Sequence, residues 1–140
     1  MKTAQEIMHA GGTCIQESET LETAARRMAE LGVGSLPICG ADDRLHGIIT
    51  DRDIVIKCLA KGKDPKTTTA GMLAQGKPIT ISTGANTNEV LRAMEEHRIR
   101  RLPVIDENHR LVGMISEADL ARNLPEDQVG HFVEVICQPA

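Results

Sequence analysis

The chain contains an internal repeat that covers most of its length, and this feature constrains the fold more than any other. When the sequence is shifted by 66 residues, residues 13–55 align with residues 79–121 without a gap, and 11 of the 43 aligned pairs are identical. A short segment that we call the leader precedes each copy. The two leaders also match, since Thr3-Ala4 corresponds to Thr69-Ala70. The identical pairs of the main alignment include Leu36/Leu102, Pro37/Pro103, Gly47/Gly113 and Asp53/Asp119. Two copies of one structural plan therefore fill nearly the whole chain.

The hydrophobic pattern of the first copy predicts the order β-α-β-β-α. A short β-favouring run, 13–15, precedes Thr20, which can cap a helix that Gly32 ends. The apolar runs 36–39 and 45–49 enclose a polar stretch, which is typical of a β-hairpin. A second helix is expected after the hairpin.

The second copy repeats this plan. It predicts a strand at 79–81, a helix after Asn86, a hairpin around 106–109 and a second helix from Ser116, which corresponds to Thr50 in the first copy. One copy alone is too small to cover its own sheet and helices. The chain is therefore expected to be a mixed α/β (α+β) protein whose two βαββα repeats pack sheet to sheet with pseudo-two-fold symmetry, creating two related clefts.

The repeats also predict how the chain is divided. We expect repeat 1 at residues 1–62, a linker with the leader of repeat 2 at 63–78, repeat 2 at 79–124 and an amphipathic C-terminal helix or tail at 125–140. The two repeats are expected to form one module.

The amino-acid composition argues against nucleic-acid binding and against membrane association. Only 1% of residues are aromatic and the formal net charge is −4, so the chain lacks both stacking rings and a positive field for nucleic acid. No apolar run is long enough for a membrane span, and the start of the chain does not have the pattern of a signal peptide. The sequence therefore predicts a cytoplasmic protein that does not bind membranes.

The sequence has no motif that indicates catalysis or a metal site. It lacks a nucleophile-elbow motif, a phosphate-binding loop and a C-x-x-C pair, and the five histidines show no ligand spacing. We expect neither an enzyme nor a required cofactor or metal, although a metal site shared between subunits stays an open alternative.

The duplicated motifs carry a family resemblance. A tandem of βαββα repeats, each with Leu-Pro before a turn and then Gly-x-x-Thr/Ser-x-x-Asp opening the last helix, resembles a pair of cystathionine β-synthase (CBS) domains. The resemblance covers about residues 1 to 124 and implies a regulatory module that binds an adenosine-containing ligand, such as AMP, ATP or S-adenosylmethionine, in the clefts between the repeats.

The resemblance also implies which residues contact the ligand. The acid of each terminal motif holds the ribose hydroxyls and its Thr or Ser meets phosphate, while apolar residues of the first and second strands flank the adenine. Carried over to this chain, these residues are Thr50, Asp53, Ser116 and Asp119, with Ile15, Leu36, Ile81 and Leu102 beside the adenine. The motifs also have the form of a capping box, in which both side chains merely satisfy backbone groups at a helix start.

Basic residues make the two repeats unequal. Arg100 and Arg101 precede Leu102, whereas the aligned residues of the first repeat are Gly34 and Ser35. Similar arginines in adenylate-sensing CBS proteins contact phosphate, and the alternative is a solvated basic turn. Arg52 is a secondary phosphate candidate.

The cysteines leave two interpretations open. A right-handed βαβ crossover would make the first two strands of repeat 1 parallel neighbours, so Cys14 and Cys39 can form a disulfide if their Cα atoms lie within about 7 Å. Reduced thiols are the alternative. Cys58 is expected in the core.

The tail and the absence of an effector domain point to partners. The tail contains an apolar stripe that either packs on the module or helps to close a homodimer. The stripe consists of Val129, Phe132, Val133 and Ile136. The predicted function is thus a dimeric, non-catalytic adenosine-ligand sensor that signals to an unidentified effector protein. The alternative is a stress-induced structural or interaction protein with vacant clefts, redox-responsive through its cysteines.

Overall fold

A computed structural model describes residues 2–10, 13–74 and 78–138 of the chain. The elements are α1 (Ala4–Ile7), β1 (His9–Ala10), β2 (Ile15–Gln16), α2 (Leu21–Leu31), β3 (Ser35–Cys39), β4 (Leu45–Thr50), α3 (Asp51–Asp53), α4 (Ala70–Leu73), β5 (Ile81–Ser82), α5 (Thr87–His97), β6 (Arg101–Ile105), β7 (Leu111–Ser116), α6 (Glu117–Asn123) and α7 (Glu126–Ile136). A π-helical turn (Ile54–Cys58) and a 3-10 turn (Leu59–Lys61) continue α3. None of the helices in these ranges is long and apolar enough to cross a membrane.

The chain divides into two compact units. We call Gly12–Pro78 the first unit, and Met1–Gly11 together with Ile79–Ala140 the second unit. The first unit has a three-stranded sheet in the order β2-β3-β4, and the second has a four-stranded sheet in the order β1-β7-β6-β5. The predicted mixed α+β class and the two βαββα repeats are confirmed.

The same hairpin recurs in both units. In the first unit Pro37 pairs with Ile48, and in the second Pro103 pairs with Met114, each in an antiparallel ladder with a bulge at its end. The preceding strands, β2 and β5, add in parallel, as a βαβ crossover requires. These two strands begin at Ile15 and Ile81, later than the predicted 13–15 and 79–81, because the parallel ladder starts only there.

The predicted helix boundaries follow the capping residues. The Thr20 side chain accepts from the backbone N–H of Thr23, and Gly32 ends α2 in the left-handed conformation at φ 67°. Asn86 begins α5 in the same way by accepting from Glu89. The helix expected after Thr50 forms, but its middle widens into a π turn that periodicity alone does not signal.

Each unit has an aliphatic core of its own. The first core contains Ile15, Leu21, Ala24, Met28, Leu36, Ile38, Cys39, Ile49, Ile54, Cys58, Ala70 and Leu73. The second contains Ala4, Ile7, Ala85, Val90, Met94, Leu102, Val104, Ile115, Leu120, Phe132 and Ile136. Long aliphatic side chains on one face of each helix and strand thus replace the aromatic residues that the chain lacks.

The leaders cross between the sequence repeats. The backbone N–H of Ala4 donates to Ala85 at 2.7 Å, so the first leader belongs to the unit of the second repeat. The N–H groups of Ala70 and Gly71 donate to the loop after β2, each at 2.9 Å, so the second leader belongs to the unit of the first repeat. The unit boundary at residue 79 therefore coincides with the predicted start of repeat 2, whereas the first leader belongs to the second unit and the predicted linker 63–78 to the first.

The C-terminal stripe forms the amphipathic helix α7, which packs on α5 and α6. Phe132 is 1% exposed and Ile136 is also buried in the core of the second unit, whereas Val133 is 41% exposed. The stripe therefore packs on its own chain, which was one of the two alternatives that the sequence left open.

Candidate functional site

The first Thr-x-x-Asp motif lies where β4 runs into α3. The backbone N–H of Asp53 donates to the Thr50 hydroxyl at 3.0 Å, and the N–H of Thr50 donates to Asp53 Oδ2 at 3.0 Å. The second carboxylate oxygen, Oδ1, lies 3.3 Å from Lys57 Nζ, and the Asp53 side chain is 21% exposed. One carboxylate oxygen thus caps the helix, while the other sits beside a cation at the surface.

The second motif has the same capping box at the start of α6 but more donors on its acid. Asp119 Oδ2 accepts from the N–H of Ser116 at 2.8 Å and from its hydroxyl at 3.0 Å. His9 Nδ1 lies 2.8 Å from the same oxygen, and Arg122 Nη1 lies 3.6 Å from Oδ1. The Asp119 side chain is only 6% exposed.

Capping is therefore confirmed at both motifs. The reason is local: after each strand the chain turns into a helix whose first N–H groups have no partner within the helix. Capping uses Oδ2 of each acid, and Oδ1 lies beside a cation in both motifs. The motifs differ because Oδ2 of Asp119 also contacts His9.

The sequence did not indicate His9 or Arg122 as members of this cluster, and His9 is the more distant of the two along the chain. It lies on β1, where it pairs with Met114 of β7, and the strand brings its side chain to Asp119 from 110 residues away. A lone histidine in a leader has no spacing signal, and only the crossing of the leaders places it here.

The arginines lie with the second motif. Arg101 pairs with Ser116 across the β6–β7 ladder. Arg100 is exposed, and its Nη1 lies 3.3 Å from Glu117 Oε1 while its Nη2 lies 3.7 Å from Cys137 Sγ. Arg52 is exposed on α3 of the first unit. Of the three arginines predicted to contact phosphate, two thus lie in the second unit and one in the first.

The four apolar residues predicted beside an adenine lie in or against the cores. Ile15, Leu36 and Leu102 are buried, and Ile81 packs against the core of the second unit. Because these side chains pack in or against the cores of their own units, a ligand at these strands would contact mainly backbone atoms.

Cys14 and Cys39 form a disulfide with their Cα atoms 5.5 Å apart. The bond joins the residue before β2 to the last residue of β3, as the predicted parallel pairing allows. Cys58 is buried, as expected, and Cys137 is free and exposed. The aligned residues of the second unit, Thr80 and Ile105, leave its equivalent strands without a covalent link.

A second histidine, His46, lies between two carboxylates on the first unit. Its Nδ1 contacts Glu17, and its Nε2 lies 3.8 Å from Asp42 Oδ1. The N–H of Arg44 donates to Asp42 and lowers the pKa of that carboxyl below its ordinary value. Among residues 2–10, 13–74 and 78–138, no three His, Cys, Asp or Glu side chains come together as a metal ion requires.

The duplicated fold and its two capped acids define the class: the chain belongs to the CBS-domain family, whose model matches residues 4–59 and 71–126. It is 57% identical over 139 residues to Hypoxic response protein 1 of Mycobacterium tuberculosis, covering 99% of this chain and 96% of that protein. Proteins of this family are generally regulatory.

Solved structures show the same fold. A crystal structure of Hypoxic Response Protein I with two coordinated zinc ions is 58% identical and superposes with a TM-score of 0.81, covering 89% of this chain and all (100%) of that one. A structure of CBSX2 in complex with AMP is 22% identical, with a TM-score of 0.75, and covers 87% of this chain and 95% of that one. The second likeness concerns the fold alone.

Proposed function

We propose that this protein is a non-catalytic regulatory module that binds an adenosine-containing ligand of the AMP, ATP or S-adenosylmethionine class at its Thr/Ser-x-x-Asp motifs and signals to an effector protein. The observation that carries the proposal is the first motif, where Asp53 keeps a carboxylate oxygen at the surface after capping its helix. The CBS family membership supports it, as does the fact that a protein of the same fold, CBSX2, was crystallised with AMP.

The chemistry of the motif suits a nucleotide. A carboxylate accepts hydrogen bonds from both hydroxyls of a ribose, and Asp53 Oδ1 needs only to exchange its contact with Lys57 for them. Lys57 and Arg52 are then the nearby cations for a phosphate group. In the second motif Asp119 and Ser116 are the equivalent acid and hydroxyl, and Arg100 and Arg101 are the equivalent cations.

The experiment that tests the proposal is a titration of the full chain with AMP, ADP, ATP and S-adenosylmethionine, followed by dye-based thermal melting and by calorimetry. Ligand at 100 times its dissociation constant should stabilise the fold by about 2.7 kcal/mol, a shift of several degrees.

The informative variant is Asp53→Asn, because the amide oxygen can still accept the capping N–H of Thr50 while the charged acceptor for the ribose is lost. We expect at least a tenfold loss of affinity. Asp51→Asn, two residues away on the exposed face, is the matched control and should bind normally. A flat response to all four ligands contradicts the proposal.

A homodimer is part of the proposal. The first unit leaves large apolar side chains exposed near the end of α2 and on the helical segment 51–61. They are Leu31, Val33, Val55, Ile56 and Leu59. The N–H of Asp51 donates to Gly34 at 2.9 Å, which holds these two chain segments side by side. An apolar surface of this kind is typical of subunit contacts. Sedimentation should give the mass of two chains for the native protein and of one chain for Ile56→Glu, with Lys61→Glu as the control.

The disulfide favours a second candidate, a redox-responsive interaction protein that uses no ligand. The bond lies in the unit that also exposes the apolar side chains, and the Mycobacterium relative is named for a response to hypoxia. This candidate predicts that reductant lowers the melting temperature strongly while none of the four ligands changes it. The zinc ions in the Hypoxic Response Protein I structure support no zinc site within one copy of this chain, because no three His, Cys, Asp or Glu side chains among its described residues could hold one.

A further inference from the structure

The acid of the second motif is engaged by a residue from outside the motif. His9 lies on β1, next to β7, and its Nδ1 is 2.8 Å from Asp119 Oδ2. The imidazole is 52% exposed, whereas the Asp119 side chain is 6% exposed. A half-exposed imidazole therefore lies directly against an almost fully buried carboxylate.

The hydrogen bonds on Asp119 leave little capacity for another ligand. Its Oδ2 takes the N–H and the hydroxyl of Ser116 as well as His9 Nδ1, which is three donors on an oxygen with two lone pairs. Its Oδ1 faces Arg122 at 3.6 Å. Because the Asp119 side chain is only 6% exposed, against 21% for Asp53, a ribose diol would have to move the imidazole before it could reach this carboxylate.

The neighbouring groups of the second motif are engaged as well. The Ser116 hydroxyl donates to Asp119 and accepts from its N–H, and Arg100 is paired with Glu117. In the second motif the acid and the hydroxyl of a nucleotide site thus contact each other, and one of its cations, Arg100, contacts Glu117.

The first motif provides the contrast. Within the part of the chain that the structure describes, Asp53 Oδ2 accepts only the N–H of Thr50, and Oδ1 contacts only Lys57. The lysine is 43% exposed, and ion pairs at the surface contribute little stability, so a ligand can replace it at little cost. The same sequence motif is therefore accessible in one unit and blocked in the other.

We propose that His9 is a specificity-determining residue that withholds Asp119 from adenosine ligands, so that the chain binds one AMP molecule, at the Thr50–Asp53 motif, instead of two. This inference rests on the proposed function, since it decides which of the two motifs is used. Removal of the imidazole should free Asp119 and create a second binding site.

Calorimetric titration with AMP tests this through the number of molecules bound per chain. We expect one for the native chain, two for His9→Ala and one for the double variant His9→Ala/Asp119→Asn. His9→Gln keeps a donor that can reach the carboxylate and should bind one. His131→Ala removes another exposed histidine of the same unit and should also bind one. A loss of stability alone cannot create a site, so a gain from one to two is specific to release of Asp119.

The remaining outcomes separate this inference from the function on which it rests. If the native chain binds two AMP molecules, or if His9→Ala still binds one, the role of His9 is wrong and the adenosine-sensor function stands. If only His9→Ala binds AMP, the role of His9 stands and the use of the first motif is wrong. If no variant binds AMP, both proposals fail.

Discussion

The two units share one plan but are completed by different means. The first unit links its first two strands with the Cys14–Cys39 disulfide and leaves apolar helix residues exposed. The second unit has no covalent link in its described residues, and instead gains the helix α7 over α5 and α6 and a fourth strand from the leader. The repeated apolar pattern thus sets the sheet and helices, while residues outside the pattern decide how each unit is stabilised and which acid stays accessible.

The largest effect should come from Phe132, the sole aromatic residue, because it lies in the core of the second unit. Phe132→Ala should cost about 3–5 kcal/mol of unfolding free energy, from lost burial and the cavity left behind. Urea unfolding gives the magnitude, and hydrogen exchange should show that amides of the second unit lose protection first.

Val133→Ala is the matched control for this variant. Val133 is adjacent on the same helix but 41% exposed, so the substitution should change stability by less than about 0.5 kcal/mol. Equal effects of the two variants would mean that α7 does not anchor the second unit.

Most of the fold was predictable from the sequence, because the helix and strand periodicities and the caps Thr20, Asn86 and Ser116 are local signals. The disulfide was an open alternative, since pairing of β2 with β3 permits it without requiring it. The place of the leaders was not predictable, since it depends on long-range hydrogen bonds such as that from Ala4 to Ala85. The contact of His9 with Asp119 follows from that place and was missed for the same reason.

The second largest effect should come from the disulfide and should be confined to the first unit. The bond closes a loop of 25 residues, for which loop entropy predicts about 3.5 kcal/mol of stabilisation. Cys14→Ala, or reductant added to the native protein, should lower the melting temperature by roughly 10 °C. The loss of amide protection should appear within residues 13–74.

Cys137→Ala serves as the control, because this thiol is free and exposed. It should leave both the melting temperature and the response to reductant unchanged. An equal loss of protection in both units after reduction would show that the disulfide does not act on the first unit alone.

A smaller difference is expected at the glycines where each leader meets its sheet. A Cβ on Gly113 would lie close to the Met8 sulfur and 2.8 Å from the backbone carbonyl oxygen of His9, whereas a Cβ on Gly47 would lie 3.0 Å from the methyl group of Ala74. Gly113→Ala should therefore cost about 1–3 kcal/mol, because β1 must shift away from β7. Gly47→Ala should cost less, since the backbone of Ala74 lies 3.9 Å from the added Cβ. The reverse order in urea unfolding would mean that the first leader is held loosely.

The smallest effect concerns the caps of the two leader helices. Thr3 forms a reciprocal capping box with Glu6, whereas Thr69 begins α4 without a side-chain hydrogen bond and has Met72 where the first leader has Glu6. Thr3→Ala should cost about 1 kcal/mol of unfolding free energy, and Thr69→Ala should stay within about 0.5 kcal/mol.

Because the first leader also carries His9, fraying of α1 should loosen the contact with Asp119. In the calorimetric titration, Thr3→Ala should then bind more AMP per chain than the native protein but less than His9→Ala. If Thr3→Ala lowers stability and the chain still binds one AMP, β1 holds His9 in place independently of the helix that precedes it.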